Sequence, residues 1–199
     1  MSLVDSWPLQ AGMDVRDALI AAYADPARGY HDSRHLTEVL DRLAELAENG
    51  AQFDHVAVGL AAWFHDGVYD GERDAEERSA RWAEDALDGL ADRAMVSEVA
   101  RLVRVTESHR PDDSDPNGCA LSDADLAILA ARPQRYAEYA AAVRSEYAHV
   151  PDVDFAAGRT GVLRGLLDKE QLFHTAYALQ HWEDAARTNA EAELAQLRV

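Results

Sequence analysis

Apolar residues recur at intervals of three and four along almost the whole chain, the spacing of one face of an α-helix. Leu36, Val39, Leu40, Leu43 and Leu46 mark such a face. Their helix is expected to start near Asp32 or Ser33, both good N-caps, and to stop at Asn49-Gly50 after Glu48. A shorter helix precedes it from Val15 to Ala24, ended by Asp25-Pro26. Phe53 to Asp66, Asp74 to Leu90 and Ala91 to Thr106 predict a third, fourth and fifth helix. Leu121-Ser122-Asp123 opens a sixth that runs to about Ala131 and breaks at Pro133. Gln134 to Ala148 and Asp154 to Leu167 follow, and Phe173 to Leu197 reads as one long helix with a polar outer face. Arg110 to Ala120, with two prolines and Gly118, reads as the longest irregular stretch. Long loops in compact domains are often functional. Ala, Leu, Glu and Arg dominate, and no alternating strand-like run is convincing. The expected fold is all-α, a single-domain helical bundle over residues 1–199.

Composition narrows the partners. At 199 residues and 48% hydrophobic, the chain can bury one sizeable core. No run of eighteen apolar residues exists, so no membrane span is expected. MSLVDSWPLQ lacks a basic region followed by an apolar one, so no signal peptide is expected. A single cysteine, Cys119, permits no intrachain disulfide, excludes thiolate zinc sites and fits a reducing, cytoplasmic setting. The formal net charge of −18 argues against nucleic acid as a bulk partner. It leaves room for a small phosphorylated molecule in a local pocket. Lys169 is the only lysine; compositional bias is the preferred account of the arginine excess.

The chemistry gathers in LAAWFHDGVYDG, residues 60 to 71. An apolar run delivers His65 and Asp66 to a helix end, with Gly67 as the expected left-handed C-cap. Helical neighbours stand about 100° apart, but at a helix end both side chains can turn toward one point. An imidazole and a carboxylate so aimed suit a divalent metal. The plain alternative is a satisfied core histidine beside a capping aspartate. His31-Asp32 is a second His-Asp pair, and His31 and His35, four apart, can share a helix face. They are read equally as a metal pair or a surface pair. His109 stands at the mouth of the long loop. Asp123 and Asp125 flank Ala124 at a helix start, where carboxylates are ordinary. Trp63, Phe64 and Trp82 read as core. Tyr136, Tyr139 and Tyr147 could line a pocket, with core packing the stronger reading. His55, His149, His174 and His181 lie off the pattern.

HDSRHL, AAWFHD and DADL, in that order, resemble the HD-domain superfamily of metal-dependent phosphohydrolases, whose pattern is H…HD…D on a helical bundle. YHDSRHL, AAWFHDGVYD, ERSA, SDADLAIL, RSEY, GR and ARTN together are similar to a subgroup described only as predicted HD-superfamily phosphohydrolases of about this length. The resemblance covers most of the chain. It implies a metal held by His35, His65, Asp66 and Asp125, with Asp123 the runner-up and His31-Asp32 a decoy pair. His31 and His109 are candidate extra ligands for a second metal. The metal-site core would span roughly 28–130, with C-terminal helices over 134–199 packed on it.

The implied activity is hydrolysis of a small phosphorylated substrate such as a nucleotide, by attack of metal-bound water on phosphorus. The implied cofactor is a divalent ion: Mn, Fe, Co, Ni, Mg or Zn. Asp66, Glu76 and His109 are the candidate catalytic residues, Glu76 or its neighbour Glu77 as general acid or outer partner. Arg28 and Arg110 by position, and Arg144, Arg159 and Arg187 through the resemblance, are candidates for the phosphate. For any single arginine an ion pair with one of 37 acidic residues is the ordinary alternative. Two further readings stand beside hydrolysis. One is di-iron oxygen chemistry using His31 and His109. The other is a non-catalytic nucleotide-binding or regulatory module. The C-terminal helix offers a homodimer face, and a monomer fits equally well.

Overall fold

The computed structural model describes residues 3–197 and is helical throughout. Among these residues there is no strand, only an isolated bridge between Asp88 and Ala91. The α-helices are α1 Met13–Tyr23, α2 Ser33–Glu48, α3 His55–Phe64, α4 Ala75–Leu87, α5 Arg93–Val105, α6 Pro116–Leu126, α7 Pro133–Glu146, α8 Asp152–Leu167, α9 Ala176–His181 and α10 Glu183–Gln196. An all-α bundle is what the periodicity predicts.

The bundle is built around α3. Every residue from Ala57 to Phe64 is buried, so this helix is apolar on all sides and has no solvent face. Helices α2, α4, α5 and α6 pack around it. Trp63 meets Trp7 edge-on at 5.4 Å, and Phe64 meets Trp82 edge-on at 6.1 Å. Such contacts suit the quadrupoles of aromatic rings. Asp54 caps α3 by accepting from the Val56 and Ala57 amides, and Asp32 caps α2 by accepting from Arg34 and His35. Gly50 is left-handed, as a helix stop requires. Gly67 is not among the left-handed glycines. Its missing Cβ is needed for close packing, since a Cβ there would lie 3.0 Å from the Trp82 ring.

Two expectations fail, one for a local reason and one for a tertiary one. The stretch read as loop up to Ala120 already contains the first turns of α6. Asp115 caps it by accepting from the Gly118 amide, and Pro116 sits in its first turn, where the missing N–H costs nothing. Asp123 and Asp125 therefore lie inside α6 and do not open it. The expected single helix from Phe173 to Leu197 is two helices broken at Trp182. Trp182 is buried and packs edge-on against Phe173 at 5.6 Å. Glu183 accepts from the amides of Leu172 and Phe173, which fixes the chain ahead of α9 in a non-helical course.

Candidate metal centre

Three helices converge on one point. His35 comes from the first turn of α2, His65 and Asp66 from the end of α3, and Asp125 from the last turn of α6. His35 and His65 are each 1% exposed. Their Nε2 atoms stand 3.0 Å apart. Asp66 Oδ2 lies 3.2 Å from His35 Nε2 and 3.1 Å from His65 Nε2. Asp125 Oδ1 is 3.2 Å from His35 Nε2 and 3.7 Å from His65 Nε2. The tightest group is His35, His65 and Asp66, whose donor atoms all lie within 4.8 Å of one another. Asp125 approaches that group through the imidazoles.

The protons on this cluster do not balance. His65 Nδ1 lies 2.7 Å from the Ala62 carbonyl oxygen, an acceptor only, so Nδ1 carries a hydrogen, and in the neutral imidazole a metal ligand requires, Nε2 presents a lone pair. His35 Nε2 therefore faces three acceptors: His65 Nε2, Asp66 Oδ2 and Asp125 Oδ1. One N–H cannot satisfy all three. Asp66 Oδ2 is buried with no hydrogen-bond partner, a costly arrangement for a carboxylate oxygen. A cation at the centre of the cluster would satisfy all four residues. An ion with bonds of about 2.1 Å holds adjacent donors about 3 Å apart, close to the separations observed.

The electrostatics say the same. Burial pulls the His35 imidazole down, but the carboxylates of Asp125 and Asp66 beside it outweigh burial and hold its pKa at about 10. His65 is likewise raised against its burial by Asp66 and Asp125. Burial would raise Asp66 and Asp125, yet nearby histidine charge keeps both below the usual carboxylate range. The site has an unmet demand for positive charge.

Arg28 braces the site from behind. Its guanidinium donates to the carbonyls of His31, Asp66 and Gly67, at 2.9, 2.7 and 2.9 Å. It also sits 5.0 Å over the Tyr23 ring, whose hydroxyl accepts from the Asp66 amide. Arg28 thus straps the loop before α2 to the end of α3, and it is absent from the lining of the adjoining cavity.

That cavity, about 390 Å³, opens beside Asp66 and Asp125. Glu76, His109, Arg110, Arg159 and Lys169 line it with them. His109 has a left-handed backbone (φ 48°), uncommon outside glycine, and its Nε2 lies 3.5 Å from Asp125 Oδ2. Burial, with Lys169 nearby, lowers its pKa. Arg159 reaches the wall with its guanidinium held by Glu193 and the Tyr139 hydroxyl. Arg144 is elsewhere: it donates to the carbonyls of Tyr147 and Val150 and pairs with Asp152. Arg187 pairs with Glu183 and holds the carbonyls of Leu167, Lys169 and Glu170. Glu77 pairs with Arg81 and Arg104 on an outer face.

Asp123 faces away from the histidines. Its carboxylate accepts from the amides of His174 and Thr175, tying the chain before α9 to α6. Burial, only partly offset by those amides, raises its pKa to about 6. Residues two apart on a helix point about 200° apart, which is why only one of the two aspartates can reach the cluster.

Two residues near the site escape a reading of the sequence. Glu146, in the RSEY segment, accepts from the amides of Gly29, Tyr30 and His31, from His31 Nδ1 at 2.9 Å and from the Tyr69 hydroxyl. Burial alone would raise it, but these donors bring its pKa to about 2. Lys169 donates to the His109 carbonyl at 2.7 Å and so holds the strained residue in place. Its status as the only lysine was the one available signal. Comparison with protein-family models, curated proteins and solved structures finds no match for this chain.

Proposed function

We propose that this chain is a divalent-metal-dependent phosphohydrolase of the HD-domain type, acting on a small phosphorylated molecule. The observation that carries this reading is Asp66 Oδ2, a buried carboxylate oxygen within 3.2 Å of two imidazole nitrogens yet without a well-formed hydrogen bond. His35, His65, Asp66 and Asp125 would hold the ion. Once bound, such an ion acidifies a water and holds a phosphate oxygen. The side chains around the cavity suit the rest of the task. Arg110 and Lys169 bring positive charge to a site otherwise rich in carboxylates. His109 and Glu76 line the cavity, where an imidazole and a carboxylate can take up and pass on a proton. Arg28 keeps the ligands in register from outside the cavity.

With a net charge of −18 the partner is a small molecule and not a nucleic acid. The one cysteine, Cys119, is buried and its thiol is pushed up to about 12, chiefly by burial, which suits an inert residue in a cytoplasmic enzyme. No helix among the described residues is long and apolar enough to cross a membrane.

The test is elemental analysis of the purified protein beside His35→Ala, followed by a phosphatase panel with the metal found. About one or two transition metals per chain, absent from the variant, is the expected result. No metal in either protein after reconstitution would overturn the proposal. Two irons per chain with a redox-dependent visible band would move the reading to oxygen chemistry.

A further inference from the structure

A second cavity, about 460 Å³, adjoins the first. The two share His31, Tyr69, Tyr139, Arg159 and Val162 as a common wall. Their chemistry differs. The second is walled by Val143, Tyr147, Val150 and Phe155 from the end of α7 and the start of α8. Tyr147 and Val162 are among the few large apolar side chains the protein leaves in water, at 39% and 55% exposure. Both face this annex.

The basic groups of the annex are already engaged: His31 is held by Glu146. Its one arginine, Arg159, is paired with Glu193. Its carboxylate, Asp154, would repel a phosphate. The phosphate therefore belongs beside Arg110 and Lys169, and a neutral body attached to it would extend into the annex.

We infer that the annex is the specificity pocket for the organic part of the substrate, and that this part is a bulky apolar ring system. The inference rests on the phosphohydrolase reading of the adjoining site. In the reaction, water oxygen joins phosphorus as the bond from phosphorus to the alcohol oxygen breaks. One water proton leaves with the alcohol and the other stays on the phosphate. The annex takes no part in that exchange and acts by holding the alcohol. Each methylene-sized group it removes from water is worth roughly a fourfold preference. Pyrophosphate and small sugar phosphates gain nothing there.

Gly158 offers a clean test. It lies on α8, lines the annex, and an added Cβ would meet nothing within 4 Å. Replacing a helical glycine favours the helix, so Gly158→Leu keeps or raises Tm while filling the annex. The probes are 2-(1-naphthyl)ethyl phosphate and ethyl phosphate, whose leaving alcohols are similar, with Mn²⁺ as the metal. Wild-type kcat/KM is expected to favour the naphthyl ester at least tenfold. Gly158→Leu is expected to erase most of that ratio, its effect on ethyl phosphate being at least tenfold smaller. Equal kcat/KM for both esters, or an equal loss for both in the variant, would overturn the annex and leave the hydrolase standing. If neither ester is hydrolysed, the hydrolase reading fails and calorimetric binding of the same two esters decides the annex. Tighter naphthyl-ester binding lost in Gly158→Leu supports it; equal binding overturns it.

Discussion

His31-Asp32 and His65-Asp66 are the same dipeptide placed at opposite ends of helices. The first stands just before α2, so Asp32 turns its carboxylate back to the Arg34 and His35 amides as an N-cap. The second stands just after α3, where no free amides await a carboxylate. Asp66 instead meets two imidazole nitrogens, and its Oδ2 finds no hydrogen-bond partner. The histidines diverge too. His31 is held by Glu146 and stacked on Tyr69 at 4.0 Å, whereas His65 is fixed through Nδ1 with Nε2 aimed at the cluster. A helix N-terminus consumes an acceptor and a C-terminus leaves it free. Position on the helix, more than the residue pair, makes one aspartate architecture and the other a candidate ligand.

The largest effect should come from removing the unsatisfied member. Asp66→Ala is expected to lose its metal, with an affinity drop beyond the roughly 10- to 100-fold typical of residues one shell out. Phosphatase turnover should vanish with it, and Tm should fall below that of the metal-loaded wild type, because an ion that binds only the folded state stabilises it; against metal-free wild type, Tm should hold or rise, since a buried unsatisfied oxygen is removed. Metal analysis beside thermal melting checks this. A fully metallated, active Asp66→Ala protein would break the contrast between the two pairs.

The four cluster residues are picked out of the sequence by the resemblance of HDSRHL, AAWFHD and DADL to the HD pattern. His35 follows a cap, His65 and Asp66 end an apolar run, and Asp125 opens onto Leu126 and Ile128. Each position is set by local helix geometry. Helix α3 was equally legible, because a run as apolar as Leu60 to Phe64 has only the core to occupy. The choice of Asp125 over Asp123 rests on the resemblance alone and cannot be read from helix position. It depends on where α6 begins, and Asp115-Pro116 starts that helix within what reads as loop. Nor was the break at Trp182 legible, since nothing local in that segment opposes a helix and the tertiary pull of Phe173 decides it. Glu146 was hidden for a similar reason. Its donors at Gly29, Tyr30 and His31 lie more than a hundred residues earlier, and no periodicity carries that information.

Glu146 sharpens the comparison from the histidine side. Its pKa of about 2 lies below the ordinary 4.5. The stability it contributes is therefore present above pH 4.5 and lost as pH falls through about 2. Glu146→Gln should cost about 2 kcal/mol at pH 7 by weakening charge-assisted bonds to the 29–31 amides. It should also flatten the acid limb of the stability curve between pH 4.5 and 2. Metal content should stay near wild type if His31 is only a wall residue. Loss of metal in this variant would make His31 part of the centre and draw the first pair into the site.

The smallest effects belong to Asp32. Asp32→Ala removes an N-cap and should cost about 1 kcal/mol. In a chain of this size that is a Tm drop of about 2–4 °C. Metal content should not change, although His35 lies only three residues on. Asp32→Asn should do less still, because an asparagine oxygen caps the same amides almost as well. The parallel change Asp66→Asn keeps size and shape but removes the negative charge, so it should lose metal while melting like the metal-free wild type. Asparagine thus separates the two aspartates by what each supplies: an oxygen acceptor at Asp32, a charge at Asp66. Melting and metal analysis of the two asparagine variants side by side would read that difference directly. If Asp32→Asn lost metal as Asp66→Asn does, the cap would be holding His35 in its ligating position, and the distinction drawn from helix ends would have to be given up.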